Sequence, residues 1–300
     1  MTESHDLRHL YNVHAHNVSD KWSSYLDTYE SVLSPYKADP VKLLEIGVQN
    51  GGSLEIWAKY FENSKLIAGC DINSDCEKIK FDAPSISLLI GDINNHETLQ
   101  KLKSISEKFD IIIDDGSHTS GDIIMTFFKV FPMLNLGGIY IIEDLHCSYW
   151  KQFDGGLNST HSSIAFLKCL VDILNFEHWG LDKDRLHHLD AFDVPIDFPD
   201  NELASLHSIE FKNSMCIIKK KASLDNILGR RRVAGSLEVV SPVKYVDNTY
   251  NNAPAQSLEV DASKDNGQNQ DSTQQRVQCL ENELPALKSN CSPSKTDAGE

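Results

Sequence analysis

Three consecutive isoleucines, Ile111 to Ile113, run directly into Asp114, Asp115, Gly116, Ser117 and His118. An apolar run this short, bounded by turn residues, fits a strand buried on both faces. Strands of this kind sit in α/β sheets, and such sheets bind ligands just beyond the carboxyl ends of their strands. Two carboxylates and an imidazole stand at that point. Asp, Gly and Ser are also ordinary turn formers, and Ser117 or Thr119 can cap a following helix. A turn and a site both fit the stretch.

The same pattern recurs along the chain. Val41–Ile46, Lys65–Asp71, Ser85–Ile90 and Gly138–Ile142 are further apolar runs, each ending in glycine or an acid. Helical spacing of apolar residues separates them: Leu54, Trp57, Ala58 and Phe61; Leu99, Leu102 and Ile105 within 95–107; Ile124, Phe127, Phe128 and Phe131 within 121–134. Residues 160–179 read as one more helix. His207–Phe211 and Met215–Lys220 then read as a hairpin turning at Asn213-Ser214. Strand and helix alternate five times before the hairpin closes the sheet. The expected fold is α/β: a doubly wound, seven-stranded, Rossmann-like sheet with a C-terminal antiparallel hairpin.

Ahead of that domain, residues 1–40 read as a helical lead-in. Its first part is polar and carries His5, His9, His14 and His16, whose spacing fits no tight metal motif. A helical pattern opens at Ser19-Asp20 and puts Trp22, Leu26, Tyr29 and Leu33 on one face, until Pro35 and Pro40 end it. Residues 41–225 form the expected α/β domain. From 226 to 300 the composition turns polar, with LGRRRVAG followed by an Asn-, Gln-, Ser- and Asp-rich stretch. Such a segment buries too little apolar surface to offset its ordering entropy, so a disordered tail or linker is expected, with one marginal helix at Gln274–Leu287.

The formal net charge of −16 argues against a nucleic-acid partner held through phosphates. No apolar stretch approaches the roughly 20 residues of a membrane helix, and the N-terminus has no apolar signal core. The seven cysteines are scattered without a C-x-x-C pair, which fits reduced thiols and a cytoplasmic location better than disulfides or zinc. A homo-oligomer is compatible with all of this.

The chemistry concentrates at strand ends. Gly47, Gly51 and Gly52 follow the first strand, and Ser53 is placed to cap the next helix, making a cradle for a polar or anionic ligand. Gln49 and Asn50 break any G-x-G-x-x-G pattern, which counts against a nicotinamide cofactor. Glu45 is an unusual acid inside an apolar run, either functional or at an exposed edge. Asp71, at the end of the second strand, is placed to accept hydrogen bonds from ribose hydroxyls or to serve the turn. Asp115 and the pair Glu143-Asp144 lie at the tips of the fourth and fifth strands, which can be neighbours in a doubly wound sheet. Converging carboxylates repel, and a hard divalent cation such as Mg²⁺ relieves them; separate loop-capping roles are the alternative. His118 is suited to take a proton from a hydroxyl, as a base or, alternatively, sits bonded to backbone at the helix start. His146 and Tyr149 are further base candidates.

LLEIGVQNGGS, the GCDI acid, IGDI, IIIDDGSH and GGIYIIEDLHCSYW together resemble the class I S-adenosylmethionine-dependent methyltransferases. More narrowly, they resemble the metal-dependent sugar O-methyltransferases of macrolide biosynthesis, the mycinamicin and tylosin type. SDKWSSYLDTYESVL resembles the helical lead-in of that group, and the resemblance covers about residues 17–221. It implies a methyltransferase sheet with a reversed last strand, and S-adenosyl-L-methionine with Mg²⁺ as cofactors. Glu45, Gly47 and the loop to Ser53 would hold the methionine end, Asp71 the ribose, and Asp92 and Ile93 the adenine. Asp115, Glu143 and Asp144 would ligate Mg²⁺, with His118 as general base. Asp114 would ligate, support His118 or face the cofactor. Gln49 stands where many relatives have glycine. The implied reaction is methyl transfer to a hydroxyl of a sugar or glycosylated natural product. A metal-independent methyltransferase on another acceptor and a non-catalytic S-adenosylmethionine-binding module are the alternatives.

Overall fold

The apolar runs become the strands of one sheet: β1 Lys42–Ile46, β2 Leu66–Asp71, β3 Ile86–Ile90, β4 Phe109–Asp114, β5 Leu134–Ile142, β6 Leu206–Lys212 and β7 Met215–Lys220. A computed structural model describes residues 6–243 and 246–257. Within these residues the sheet has seven strands in the order β3-β2-β1-β4-β5-β7-β6. The first five pair in parallel; β7 runs antiparallel to β5, and β6 antiparallel to β7. This is the expected seven-stranded α/β sheet with a reversed hairpin at one edge. Its order changes direction between β1 and β4, and the crevice at that switch point is where a doubly wound sheet receives its ligand.

The helices are α1 Leu7–Val13, α2 Ser23–Leu33, α3 Gly52–Tyr60, α4 His96–Ile105, α5 Ser120–Val130, α6 Ser163–Leu174 and the short α7 Asp200–Leu203. Strand parity divides the core in two. Leu43, Ile111, Ile113, Ile139, Ile141 and Ile217 pack with Tyr25, Tyr29 and Trp57 of α2 and α3. Leu44, Ile112, Tyr140, Ile142 and Ile218 pack with Phe127 and Phe128 of α5 and Phe166 of α6. Trp57 is fully buried, its ring 5.0 Å from that of Tyr29. Burial of each such side chain stabilises the fold by roughly 1.5–3 kcal/mol.

Several boundaries differ from the sequence reading. The polar N-terminus contains α1, capped by Asp6, which accepts from His9 N–H at 2.7 Å. Helix α2 starts at Ser23, not at Ser19-Asp20, because residues 14–22 form an irregular strap that bends at His16-Asn17 and brings Lys21 to the strand-end acids; Trp22 becomes an exposed helix cap instead of a core residue. Ser53 does not cap α3: the cap is Gly51 in the left-handed region, and the Ser53 hydroxyl donates to Glu45 Oε2 at 2.7 Å. Strand β5 begins four residues before Gly138, since Leu134 pairs with Phe109 across a register shift.

The compact unit that holds the sheet runs to Pro254. Its described residues beyond 226 have no helix or strand and fold back on themselves, with Arg231 N–H donating to Thr249 O (2.9 Å) and Asn248 N–H to Arg231 O (3.0 Å). Of the second unit only residues 255–257 are described. The helix expected at Gln274–Leu287 lies outside the described residues.

Candidate functional site

The turn between β1 and α3 is shaped by what passes close to it. Gly47 has φ +86°, and a Cβ there would lie 1.9 Å from the Asp115 carbonyl oxygen. Gln49 also takes a left-handed conformation, at φ +50°, so the non-glycine residue adopts the turn at some cost. Asp71 holds the turn: its Oδ2 accepts from the amides of Val48 (2.7 Å) and Gln49 (2.9 Å), and its Oδ1 from that of Asn73 (2.8 Å). Asp71 therefore organises the cradle by itself, with lone pairs left for ribose hydroxyls.

Two cavities share Gly47, Asp71 and Gly116 in their walls and so form one cleft. The first, about 200 Å³, is lined by Asp92, Ile93, Asn94 and Asp114. The second, about 350 Å³, is lined by Ser53, Lys21, Asp115, His118 and Asp144. Asp92 and Ile93 thus lie together at one end of the cleft, and the acid-imidazole group at the other.

The N-terminal segment roofs the second cavity. Glu55, in the first turn of α3, anchors it: Glu55 Oε1 meets His16 Nδ1 at 2.5 Å, and Glu55 Oε2 accepts from Asn17 N–H at 3.1 Å. Val18 O accepts from Gly52 N–H at 3.2 Å. A Cβ on Gly52 would stand 2.2 Å from Asn17 O and 2.5 Å from Val18 C, so only glycine admits the strap here. Gly52→Ala is expected to lift residues 14–22 and to open the Lys21-Trp22 bond to trypsin. A tryptic digest resolved over time reads this directly; a variant cut as slowly as wild type would overturn the strap's dependence on Gly52.

Lys21, carried by that strap, was not singled out by sequence. Its side chain is only 3% exposed, and its ammonium binds Asp115 Oδ2, Glu143 Oε1 (2.6 Å) and Glu45 Oε1 (3.4 Å). Parity explains the meeting. Glu45 pairs with Ile113 and Ile113 with Ile141, and two residues further along β4 and β5 come Asp115 and Glu143, on the same face. Tyr29 OH also donates to Glu143 Oε1. Burial pushes Glu143 up to about 8, against the pull of Lys21. Burial also raises Glu45. Burial alone would lower Lys21, but Glu143, Glu45 and Asp115 override it and hold the ammonium well above its ordinary value.

Asp144 faces outward. It has φ +54°, and its Oδ1 accepts from Tyr25 OH (2.7 Å) and Trp22 Nε1–H (3.1 Å). Its Oδ2 lies 3.7 Å from His118 Nε2, which is 3.9 Å from Asp115 Oδ1. His118 is likewise left-handed, at φ +59°. Non-glycine residues held in this region are a mark of functional sites. One ligand atom each from Asp115, His118 and Asp144 lies within 4.8 Å of the others; Glu143 groups instead with Glu45 and Asp115, around Lys21. Two carboxylate oxygens at a partly open position suit a hard cation such as Mg²⁺ that keeps other positions for water or substrate. Asp114 points away from both groups: it is buried, lines the first cavity, accepts from Tyr140 OH at 3.3 Å, and burial pushes it up to about 7. His146 stands beside Asp144, its Nδ1 2.5 Å from Ser214 Oγ, and Tyr149 is exposed on the same loop.

No family model matches the chain. Curated relatives do. It is 34% identical over 215 residues to the 8-demethyl-8-alpha-L-rhamnosyl tetracenomycin-C 2'-O-methyltransferase of Streptomyces olivaceus, covering 68% of this chain and 53% of that one. It is 34% identical over 181 residues to the demethylmacrocin O-methyltransferase of Streptomyces fradiae, with 56% and 45% covered. It is 33% identical over 167 residues to the mycinamicin VI 2''-O-methyltransferase of Micromonospora griseorubida, with 52% and 41% covered. The chain spans about half the length of the curated relatives it matches. A solved structure of MycE methyltransferase from the mycinamycin pathway, in complex with Mg and SAH, superposes with TM-score 0.60 at 25% identity, covering 73% of this chain and 55% of that one. The fold is that of the class I S-adenosylmethionine-dependent methyltransferases. Within that class, the chain's curated homologues are O-methyltransferases acting on the sugars of glycosylated natural products.

Proposed function

We propose that this chain is a Mg²⁺-dependent O-methyltransferase that moves a methyl group from S-adenosyl-L-methionine to a hydroxyl of a sugar on a small glycosylated acceptor. The observation that carries the reading is the convergence of Asp115, His118 and Asp144 at the open end of a cleft whose other end is lined by Asp71, Asp92 and Ile93. The family resemblance and the relatives support it. S-Adenosylmethionine supplies the methyl group as an electrophilic sulfonium. Asp92 and Ile93 would take its adenine, Asp71 its ribose, and Gly47 with the turn to Ser53 its methionine end, near Glu45; Asp114 would face the cofactor through the first cavity. Asp115 and Asp144, with Glu143 behind them, would hold Mg²⁺, which would supply positive charge to lower the pKa of an acceptor hydroxyl.

The chain's own residues do the rest. His118 Nε2 accepts the hydroxyl proton, and the Asp144 and Asp115 carboxylates beside it stabilise the imidazolium. Tyr25 and Trp22 fix Asp144, and Lys21 fixes Asp115. The strap at residues 14–22 brings Lys21 and Trp22 to these carboxylates.

The test is methyl transfer from labelled S-adenosylmethionine to a panel of rhamnosides and other hexosides, with Mg²⁺ and with excess chelator. Transfer that disappears with chelator and returns with Mg²⁺ is expected. A second reading, a metal-independent methyltransferase, is favoured by Lys21, which already gives Glu45, Asp115 and Glu143 a cation; transfer undiminished by chelator would establish it. SAH binding without transfer to any acceptor would leave a binding module. The acceptor partner is proposed as a small-molecule glycoside; among the described residues no helix is long and apolar enough to cross a membrane.

A further inference from the structure

Two of the four tryptophans are exposed beside the site: Trp22 at 60% and Trp150 at 47%. Large aromatic surface left in water is costly, and here it adjoins Asp144, which lines the second cavity and meets Trp22 at 3.1 Å and His146 at 3.8 Å. Both rings are also fixed. Trp22 caps α2 and donates its indole N–H to Asp144 Oδ1 at 3.1 Å. Trp150 sits edge-on to His146, with ring centroids 4.9 Å apart, and His146 sits edge-on to Trp22 at 5.9 Å. Ser214 Oγ holds His146 Nδ1 at 2.5 Å, so the middle ring cannot turn freely. The loop carrying Trp150 is packed on itself: Gly155 N–H donates to Trp150 O at 3.1 Å, and a Cβ on Gly155 would lie 2.2 Å from Ser148 O. The three rings therefore form a wall that begins at Asp144, a fixed, stepped row of edge-on contacts.

We propose that this wall, Trp22–His146–Trp150, is the acceptor subsite: it takes the apolar C–H face of a pyranose ring against Trp22 and a flat apolar aglycone against Trp150. The assignment rests on the methyltransferase reading and deepens it. A hydroxyl placed between His118 Nε2 and Asp144 Oδ2, which are 3.7 Å apart, belongs to a sugar whose ring lies along the wall. Pyranose rings expose axial C–H groups that pack well on indole faces, and the polar rim of the sugar stays toward Asp144 and His118. The order of the rings then puts the sugar nearest the acids and the aglycone furthest out.

Calorimetric titration of the full chain, with Mg²⁺ and SAH present, separates the parts. The probes are phenyl and methyl α-L-rhamnopyranoside. Wild type is expected to bind the phenyl glycoside the more tightly. Trp150→Ala is expected to weaken the phenyl glycoside about tenfold while leaving the methyl glycoside and SAH unchanged, and in turnover to raise KM without lowering kcat. Trp150→Ala binding both glycosides as wild type does would overturn the subsite. Wild type that binds SAH and methylates a non-glycosidic hydroxyl, but binds neither glycoside, would overturn the subsite and leave the methyltransferase reading standing. Failure to bind SAH at all would overturn both.

Discussion

Lys21→Met is expected to destabilise the fold by about 3–5 kcal/mol, the usual result of stripping one partner from a buried ion pair. The reason is local arithmetic. One ammonium, 3% exposed, faces three carboxylates from the ends of β1, β4 and β5. Methionine fills the same volume but leaves Glu45, Asp115 and Glu143 to repel one another in a medium that solvates them poorly. The deficit depends on pH with a definite sign. Lys21 is held above its ordinary value, so its charge is present throughout the range below about 10. Glu143 is raised, to about 8: the folded state prefers it protonated, and the stability this confers is present below its unfolded value and lost as pH rises through 8. Without Lys21 that preference strengthens. The variant is therefore expected to fall furthest behind wild type near pH 8 and to recover toward pH 5, where the acids take up protons. Urea unfolding at the two pH values checks it, and Lys21→Met with Glu143→Gln should regain part of the loss at pH 8. Equal unfolding midpoints for wild type and Lys21→Met at pH 8 would show that the ammonium contributes nothing.

The sheet was legible because its strands are local and their pattern is strong. Ile111–Ile113 is buried on both faces and pairs with β1 and β5 as an apolar run at the centre of a parallel sheet should. The acids were legible as strand-end residues, and the anomaly of Glu45 inside β1 was visible. What closed over them was not. Lys21 lies 94 residues from Asp115 and 122 from Glu143, and nothing local marks a lone lysine as their partner. Trp22 fits a helical apolar face by spacing, yet the strap pinned by Glu55 and admitted by Gly52 takes residues 14–22 out of the helix and leaves Trp22 exposed. Parity was available and would have separated the acids sooner: Asp115 and Glu143 follow Ile113 and Ile141 by two residues and share their face, whereas Asp114 lies on the other. The requirement for a cation near three carboxylates was sound physics, but the structure meets much of it with Lys21, and the carboxylates left open to a metal are Asp115 and Asp144, with His118 beside them.

His118→Asn isolates the proposed proton acceptor with little disturbance elsewhere. The residue has φ +59°, a region in which asparagine is tolerated and alanine is strained, so asparagine is the substitution that keeps the loop. Its side chain is partly exposed and makes only the long contacts of 3.7 and 3.9 Å to Asp144 and Asp115, so the fold loses little. The amide cannot accept a proton at neutral pH. The rate of methyl transfer is therefore expected to fall by roughly 10²–10⁴-fold, the range associated with loss of a general base. SAH affinity and the unfolding midpoint should stay at wild-type values, because neither the cradle at Gly47 and Asp71 nor the Lys21 cluster includes His118. Raising the pH should recover part of the lost rate, since a hydroxyl already ionised needs no acceptor for its proton. Turnover within a few-fold of wild type would remove His118 from the chemistry and pass the role to His146, whose Nδ1 lies 3.8 Å from Asp144 Oδ1 on the opposite side of that carboxylate.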